Sequence, residues 1–87
     1  MEVVKTLIVE DEVIVARDLQ RSLEKMGHPV ASMVPSGEQA IEKIENEVPD
    51  LVLMDIELQD GMDGIETAEL IHSRFDVPVI FLTAHNK

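Results

Sequence analysis

The 87-residue sequence has no cysteine, and only 7 of its residues are lysine or arginine. The absence of cysteine excludes a disulfide framework, a thiolate zinc site and a cysteine nucleophile. With 18 aspartates and glutamates, the formal net charge is −11 at pH 7. Such a charge disfavours direct contact with a nucleic-acid backbone or an anionic membrane, and it is typical of proteins that bind divalent cations or basic surfaces.

Long hydrophobic runs are also missing. No apolar stretch approaches the roughly 20 residues that a membrane-spanning helix needs. The N-terminus shows no signal peptide, because Glu2 is followed directly by a predicted strand that begins at Val3. We therefore expect a cytoplasmic chain that forms one small domain, with roughly 60–65% of its unfolded surface buried.

The most informative stretch that is present is Leu51–Asp55, four apolar residues that end in a carboxylate. A short run of this kind predicts a strand buried on both faces, as in a parallel sheet. Leu7–Val9 repeats the pattern and runs directly into Glu10 and Asp11. Ligands of open α/β sheets bind beyond the carboxyl ends of the strands, so we expect these acids at one functional edge.

Strand and helix patterns alternate along the whole sequence. Strands are predicted at Val3–Val9, Val30–Val34, Leu51–Asp55 and Val77–Leu82. The helices between them are predicted at Val13–Met26, after a Ser36/Gln39 capping box, and after an Asp63/Glu66 capping box. Their inward residues are expected to be Val13, Ala16, Leu19, Leu23 and Met26, then Ala40, Ile41, Ile44 and Val48, then Ile65, Ala68, Ile71 and Phe75. The order βαβαβαβ predicts an α/β fold, a doubly wound parallel sheet with right-handed crossovers.

Three acids that converge on one sheet edge require an explanation, because like charges placed close together are costly unless a cation or a proton neutralises them. Hard carboxylate ligands suit Mg²⁺ (or Mn²⁺), which also accepts phosphate oxygens. Glu10, Asp11 and Asp55 therefore predict a metal site in which Asp55 stays ionised and can attack a phosphoryl group. The competing interpretation is that such acids are helix caps and solvated loop residues, which fits Asp11 alone better than it fits the three together.

Further candidates lie near that edge. The backbone carbonyl of Glu57 can reach a metal beside Asp55, while its side chain is expected to face solvent. Thr83 closes the fourth strand, where its hydroxyl can donate to a phosphate oxygen. Gly61 and Gly64 permit a close approach to the third helix, but the sequence has no glycine-rich phosphate loop of the P-loop or dinucleotide type.

In order and spacing, the segments Leu7–Glu12, Leu51–Asp55, Met62–Gly64 and Phe81–Ala84 resemble the motifs of two-component response regulator receiver domains, and the resemblance covers all 87 residues. It implies a flavodoxin-like fold with strand order 2-1-3-4-5. It also implies a phosphorelay function without substrate turnover. In this function, Asp55 accepts a phosphoryl group from a sensor histidine kinase or phosphotransfer protein.

The resemblance also implies roles for individual residues. Asp11 and Asp55 would hold Mg²⁺ with their carboxylates and Glu57 with its carbonyl, while Glu10 would act through water. Thr83 would be the switch hydroxyl that turns toward the acyl phosphate.

The sequence departs from the family pattern in three ways, one of which is that much of the face the family uses for dimerisation and output is missing. Gln59 stands where the family usually has proline, and the loop to Gly64 is one residue longer. The family's fifth strand and helix, its phosphate-binding lysine and its switch aromatic residue are absent, and Lys87 follows Thr83 too closely to be that lysine. Residues 1–87 are thus expected to form a receiver domain that is incomplete at its C-terminus, with strand order 2-1-3-4. The edge of the fourth strand is expected to pair with another copy or to swap elements.

Two alternatives stay open at this point. One is an inert pseudo-receiver that serves as an interaction module. The other is an aspartyl-phosphate hydrolase, for which Glu57–Gln59 supplies an acid after Asp55 but no hydroxyl. Phosphorylation separates the first from a working receiver, and substrate turnover identifies the second.

Overall fold

Four strands and three helices alternate along the chain. The computed structural model describes residues 4–59 and 61–82. The strands are β1 (Thr6–Val9), β2 (Val30–Val34), β3 (Leu51–Asp55) and β4 (Val79–Leu82), and the helices are α1 (Val13–Lys25), α2 (Gly37–Asn46) and α3 (Gly64–Phe75). The strands form one parallel sheet in the order β2-β1-β3-β4. The predicted doubly wound sheet with order 2-1-3-4 is therefore confirmed.

The first residues of β1 and β4 differ from the prediction, which began these strands at Val3 and Val77. β1 begins at Thr6, and just before it the carbonyl of Lys5 accepts the N–H groups of Asp50 and Leu51 at the turn into β3. The Lys5 N–H in turn donates to the Asp50 carboxylate over 2.8 Å. β4 begins at Val79, directly after Pro78, which has no N–H to donate to a ladder.

The predicted caps fix the starts of α2 and α3. Ser36 accepts the Gln39 N–H over 3.1 Å, which is the serine half of its predicted box. Asp63 accepts the Glu66 N–H over 2.8 Å, and Glu66 accepts the Asp63 N–H over 3.1 Å, so the second capping box is complete. The start of α3, just past the end of β3, is thus set by local hydrogen bonds.

The two faces of the sheet carry separate cores. On one face, α2 and α3 pack on a cluster of buried residues, namely Leu7, Val9, Ala40, Ile41, Ile44, Val52, Met54, Leu58, Ile71 and Val77. On the other face, α1 packs on a smaller cluster of Ile8, Ala16 and Leu53, with half-buried residues such as Leu19 and Leu23 around it. The sheet is therefore covered on both sides, but unequally.

Four residues that were predicted to point inward are more than half exposed, and the prediction for them is wrong. They are Val13, Met26, Val48 and Ile65. Each lies in the first two residues of a helix or just beyond a helix end. Apolar periodicity shows which side of a helix is apolar, but it does not show where the helix runs past the sheet.

None of the helices within the described ranges is long and apolar enough to cross a membrane.

Candidate functional site

The acidic residues of the predicted site meet at the carboxyl edge of the two central strands. β1 and β3 are parallel neighbours, and Val9 pairs with Met54. Glu10 therefore comes level with Asp55, and Asp11 follows directly. One carboxylate oxygen from each of the three acids lies within 4.8 Å of the others.

Glu10 is the most buried of these acids, with 8% of its surface exposed. Burial raises the pKa of Glu10 from 4.5 to about 7, against the lowering effect of the Glu12 N–H, which donates to the Glu10 carboxylate over 3.1 Å. The negative charge of Asp55 and hydrogen bonds to Asp55 and Asp11 contribute smaller parts of this same rise in the pKa. Near neutral pH the cluster therefore binds a proton readily when no cation is bound.

Asp11 and Asp55 are half-buried, and each uses one oxygen in a backbone hydrogen bond. Asp55 Oδ1 accepts the Glu57 N–H over 3.1 Å, and Asp11 Oδ2 accepts the Gln59 N–H over 3.1 Å. Asp11 does not cap α1, because Glu12 occupies the N-cap position. Within the described residues, the second oxygen of each carboxylate accepts no backbone N–H, so it can turn toward a ligand while the first oxygen fixes the orientation.

The Gln59 hydrogen bond is the feature of the site that sequence reasoning missed. Gln59 stands where the family usually has proline, and proline has no N–H to donate. The departure from the family pattern therefore gives Asp11 a partner that a proline at this position excludes. The missing proline was the signal that could have pointed to this contact.

The remaining predicted site residues are placed as follows. The side chain of Glu57 is exposed, as predicted, and its carbonyl stays a predicted metal ligand. Thr83 lies outside the described residues, and so does Lys87.

Gly64, the first residue of α3, packs against the backbone at the end of β3. Its N–H donates to the Ile56 carbonyl over 3.1 Å. A Cβ at Gly64 would lie 2.8 Å from the Ile56 Cα and would overlap the Asp55 carbonyl oxygen. A residue without a side chain therefore allows α3 to begin directly against the backbone of Asp55, as the sequence predicted.

The donor set fits a small hard cation. Three carboxylates within 4.8 Å, two of them half-buried with an oxygen available, match the oxygen ligands and the partly open coordination that Mg²⁺ prefers. Bringing these charges together also provides the electrostatic reason to bind one.

The family model of the response regulator receiver domain matches residues 6–87. The chain is 39% identical over 80 residues to the phyllosphere-induced regulator PhyR of Methylorubrum extorquens, and it is 35% identical over 83 residues to the transcriptional regulatory protein PdtaR of Mycobacterium tuberculosis. These alignments cover 91% and 95% of this chain, but 30% of PhyR and 40% of PdtaR.

Among solved structures, the signal receiver domain of a modulated diguanylate cyclase from Desulfovibrio desulfuricans superposes with a TM-score of 0.90 at 34% identity. The superposition covers 98% of this chain and 68% of that one. The chain belongs to the response regulator receiver family, and its fold is the flavodoxin-like receiver fold. It spans less than half the length of the two curated relatives.

Proposed function

We propose that this chain is a phosphoacceptor signalling domain, in which Asp55 receives a phosphoryl group in a reaction that depends on Mg²⁺. The observation that carries the proposal is the set of carboxylates from Glu10, Asp11 and Asp55, gathered within 4.8 Å where β1 and β3 end. Membership of the receiver family supports the same conclusion.

The chain's own residues have distinct parts in this reaction. The free oxygen of Asp55 attacks the phosphorus of a phosphohistidine. As the new O–P bond forms, the P–N bond breaks and its electron pair stays on the imidazole nitrogen. The Glu57 N–H holds the other oxygen of Asp55 and so orients the nucleophile. The carboxylates of Asp11 and Asp55 and the carbonyl of Glu57 would hold Mg²⁺, with Glu10 acting through water, and the ion would supply positive charge that offsets the charge of the phosphoryl oxygens.

The donor that this proposal implies is a sensor histidine kinase or a phosphotransfer protein. The product stays on the chain, so the reaction is a change of state rather than a turnover of substrate. Thr83 is the proposed switch hydroxyl that responds to the acyl phosphate.

The exposed edge of β4 is proposed as a second contact surface. Within the described residues β4 pairs with β3 alone, and Ile80 and Phe81 on it are 52% and 40% exposed. An unpaired apolar edge strand is a template for pairing with another chain. We propose a second copy of this chain as its partner.

The central test is intact-mass analysis after incubation with a small acyl phosphate donor and Mg²⁺. We expect one phosphoryl adduct that requires the metal and is lost in Asp55→Asn. Asp18→Asn is the matched control, because Asp18 lies exposed on α1 in an ion pair with Arg21. A chain that is folded by circular dichroism and forms no adduct would be an inert interaction module, and continuous release of phosphate would indicate a hydrolase.

A further inference from the structure

The loop after β3 is held by carboxylates from two other parts of the chain. We call residues 57–59 and 61–62 the site loop, and Asp60 between them lies outside the described residues. Near its start, the Gln59 N–H donates to Asp11 over 3.1 Å. At its end, the Met62 N–H donates to Glu38 Oε2 over 3.0 Å. One anchor is therefore a predicted metal ligand, and the other is a residue of α2.

Glu38 is an exposed residue whose carboxylate lies directly beside the backbone of the site loop. Gly61 has φ of +71°, in the left-handed region that favours glycine. A Cβ at Gly61 would come 2.6 Å from Glu38 Oε1 and closer still to Oε2. Gly61 thus serves both the loop conformation and the approach of the Glu38 carboxylate.

The backbone that carries Glu38 is itself fixed against α3. Gly37 is buried against Thr67, and a Cβ at Gly37 would lie 3.2 Å from the Thr67 Cβ and would overlap its hydroxyl. That hydroxyl donates to the Asp63 carbonyl over 2.7 Å. The start of α2 and the start of α3 therefore form one packed unit, from which Glu38 reaches the site loop.

We propose that Glu38 is a positioning residue for the metal site. It fixes the Met62 end of the site loop, and through that loop it places the Gln59 N–H against Asp11, so that the free oxygen of Asp11 faces Asp55. The inference depends on the metal site of the proposed function. Hydrogen-bonding partners of ligating carboxylates commonly change metal affinity by about 10- to 100-fold when they are removed. Glu38 contacts the site loop and not the ligating carboxylate itself. The loss of metal affinity on removing Glu38 is therefore expected to lie near the lower end of this range.

The test measures Mn²⁺ affinity from the electron paramagnetic resonance signal of the free ion, in parallel with hydrogen exchange of the Met62 amide in the metal-free protein. Glu38→Ala is expected to weaken Mn²⁺ binding about tenfold and to speed exchange at Met62. Glu38→Gln loses the charge but keeps an acceptor oxygen, and it is expected to bind Mn²⁺ nearly as the unaltered chain does.

Two controls separate positioning from simple loss of charge. Glu42→Ala removes the same charge one turn further along α2, where the Glu42 side chain is exposed and makes no hydrogen bond or ion pair within the described residues. It is expected to leave the affinity unchanged. At Gln59, the change Gln59→Pro removes the N–H that reaches Asp11 and is expected to weaken Mn²⁺ binding. Gln59→Ala keeps this N–H and is expected to leave Mn²⁺ binding unchanged.

The outcomes are distinct. Equal affinities for Glu38→Ala and Glu42→Ala would overturn the positioning role of Glu38 and leave the metal site intact. Equal losses in Glu38→Ala and Glu38→Gln would also overturn it, because charge alone would then account for the effect. Failure of the unaltered, folded chain to bind Mn²⁺ would overturn the proposed metal site together with this inference.

Discussion

The two faces of the sheet differ in how much apolar surface they bury and in what they carry. The face under α2 and α3 has ten buried core residues among those described, and the face under α1 has three. Side chains alternate along a strand, so Glu10 and Asp55 continue the rows of Ile8 and Leu53 on the α1 side. The acids therefore stand on the side with the thinner core. The difference indicates that one face supplies most of the stability, while the other carries the charged site at its end.

The largest expected effect comes from truncating the better-packed face. Ile71→Ala removes a side chain of α3 that is fully buried, and large-to-small changes of this kind cost about 2–5 kcal/mol. Leu23→Ala removes a half-buried side chain of α1, and we expect a loss of about 1–2 kcal/mol, because less apolar area is returned to water. Urea unfolding followed by far-ultraviolet circular dichroism measures both. Equal losses would show that the two faces contribute alike.

The acidic edge makes the stability of the metal-free chain depend on pH. The pKa of Glu10 is raised from 4.5 to about 7 in the folded state. Between these values the folded state binds the proton and the unfolded state does not, so the free energy of unfolding falls as pH rises from about 4.5 to 7. At about 1.4 kcal/mol per pKa unit, the free energy of unfolding falls by at most about 3–4 kcal/mol.

Two changes should remove this dependence of the free energy of unfolding on pH. Glu10→Gln abolishes the titrating group, and saturating Mg²⁺ favours the ionised cluster, so that added metal stabilises the chain more at pH 8 than at pH 5. Thermal unfolding across this range measures both. A slope that persists unchanged in Glu10→Gln would assign it to another group.

Much of the fold could be predicted because its signals are local. The Asp63/Glu66 capping box is readable from two residue types at fixed spacing, and both of its hydrogen bonds form. The meeting of Glu10 with Asp55 followed from the rule that neighbouring parallel strands end at one edge. Both predictions needed only residue types and strand order.

The contacts that position the acids could not be predicted in the same way. Gln59 and Met62 reach Asp11 and Glu38 through backbone N–H groups. Every residue except proline carries that donor, so the residue type does not reveal which donor is used. The path of the loop decides it, and that path depends on where α2 and α3 pack. The exposure of Val13 and Ile65 has a similar cause, since helix ends extend beyond a sheet whose size the periodicity does not encode.

A smaller loss of stability is expected when alanine replaces Gly64 at the start of α3 or Gly27 just after the end of α1. Gly64→Ala places a methyl group against the Asp55 backbone, and overpacking of this kind costs about 1–3 kcal/mol. Gly27→Ala meets no atom within 4 Å and suffers only from its φ of +85°, at a cost of about 1–2 kcal/mol. We expect Gly64→Ala alone to slow phosphoryl transfer to Asp55, measured by intact mass after acyl phosphate treatment. Equal phosphorylation of both variants would show that Asp55 tolerates a shift of α3.

The smallest expected effect concerns the uncovered part of the α1 face. Ile80 is two residues from Leu82, which packs against the α1-side cluster, so Ile80 lies on the same face of the sheet. It is nevertheless 52% exposed on this edge strand. If β4 pairs with a second copy, the chain should form dimers as its concentration rises in sedimentation velocity. Ile80→Lys should shift it toward monomer, because charged residues on an edge oppose strand pairing. Val13→Lys changes a residue of similar exposure that belongs to α1 and not to the edge strand, and it should leave the association unchanged. A monomer at every concentration would refute edge pairing, and equal effects of the two substitutions would assign association to the α1 surface instead.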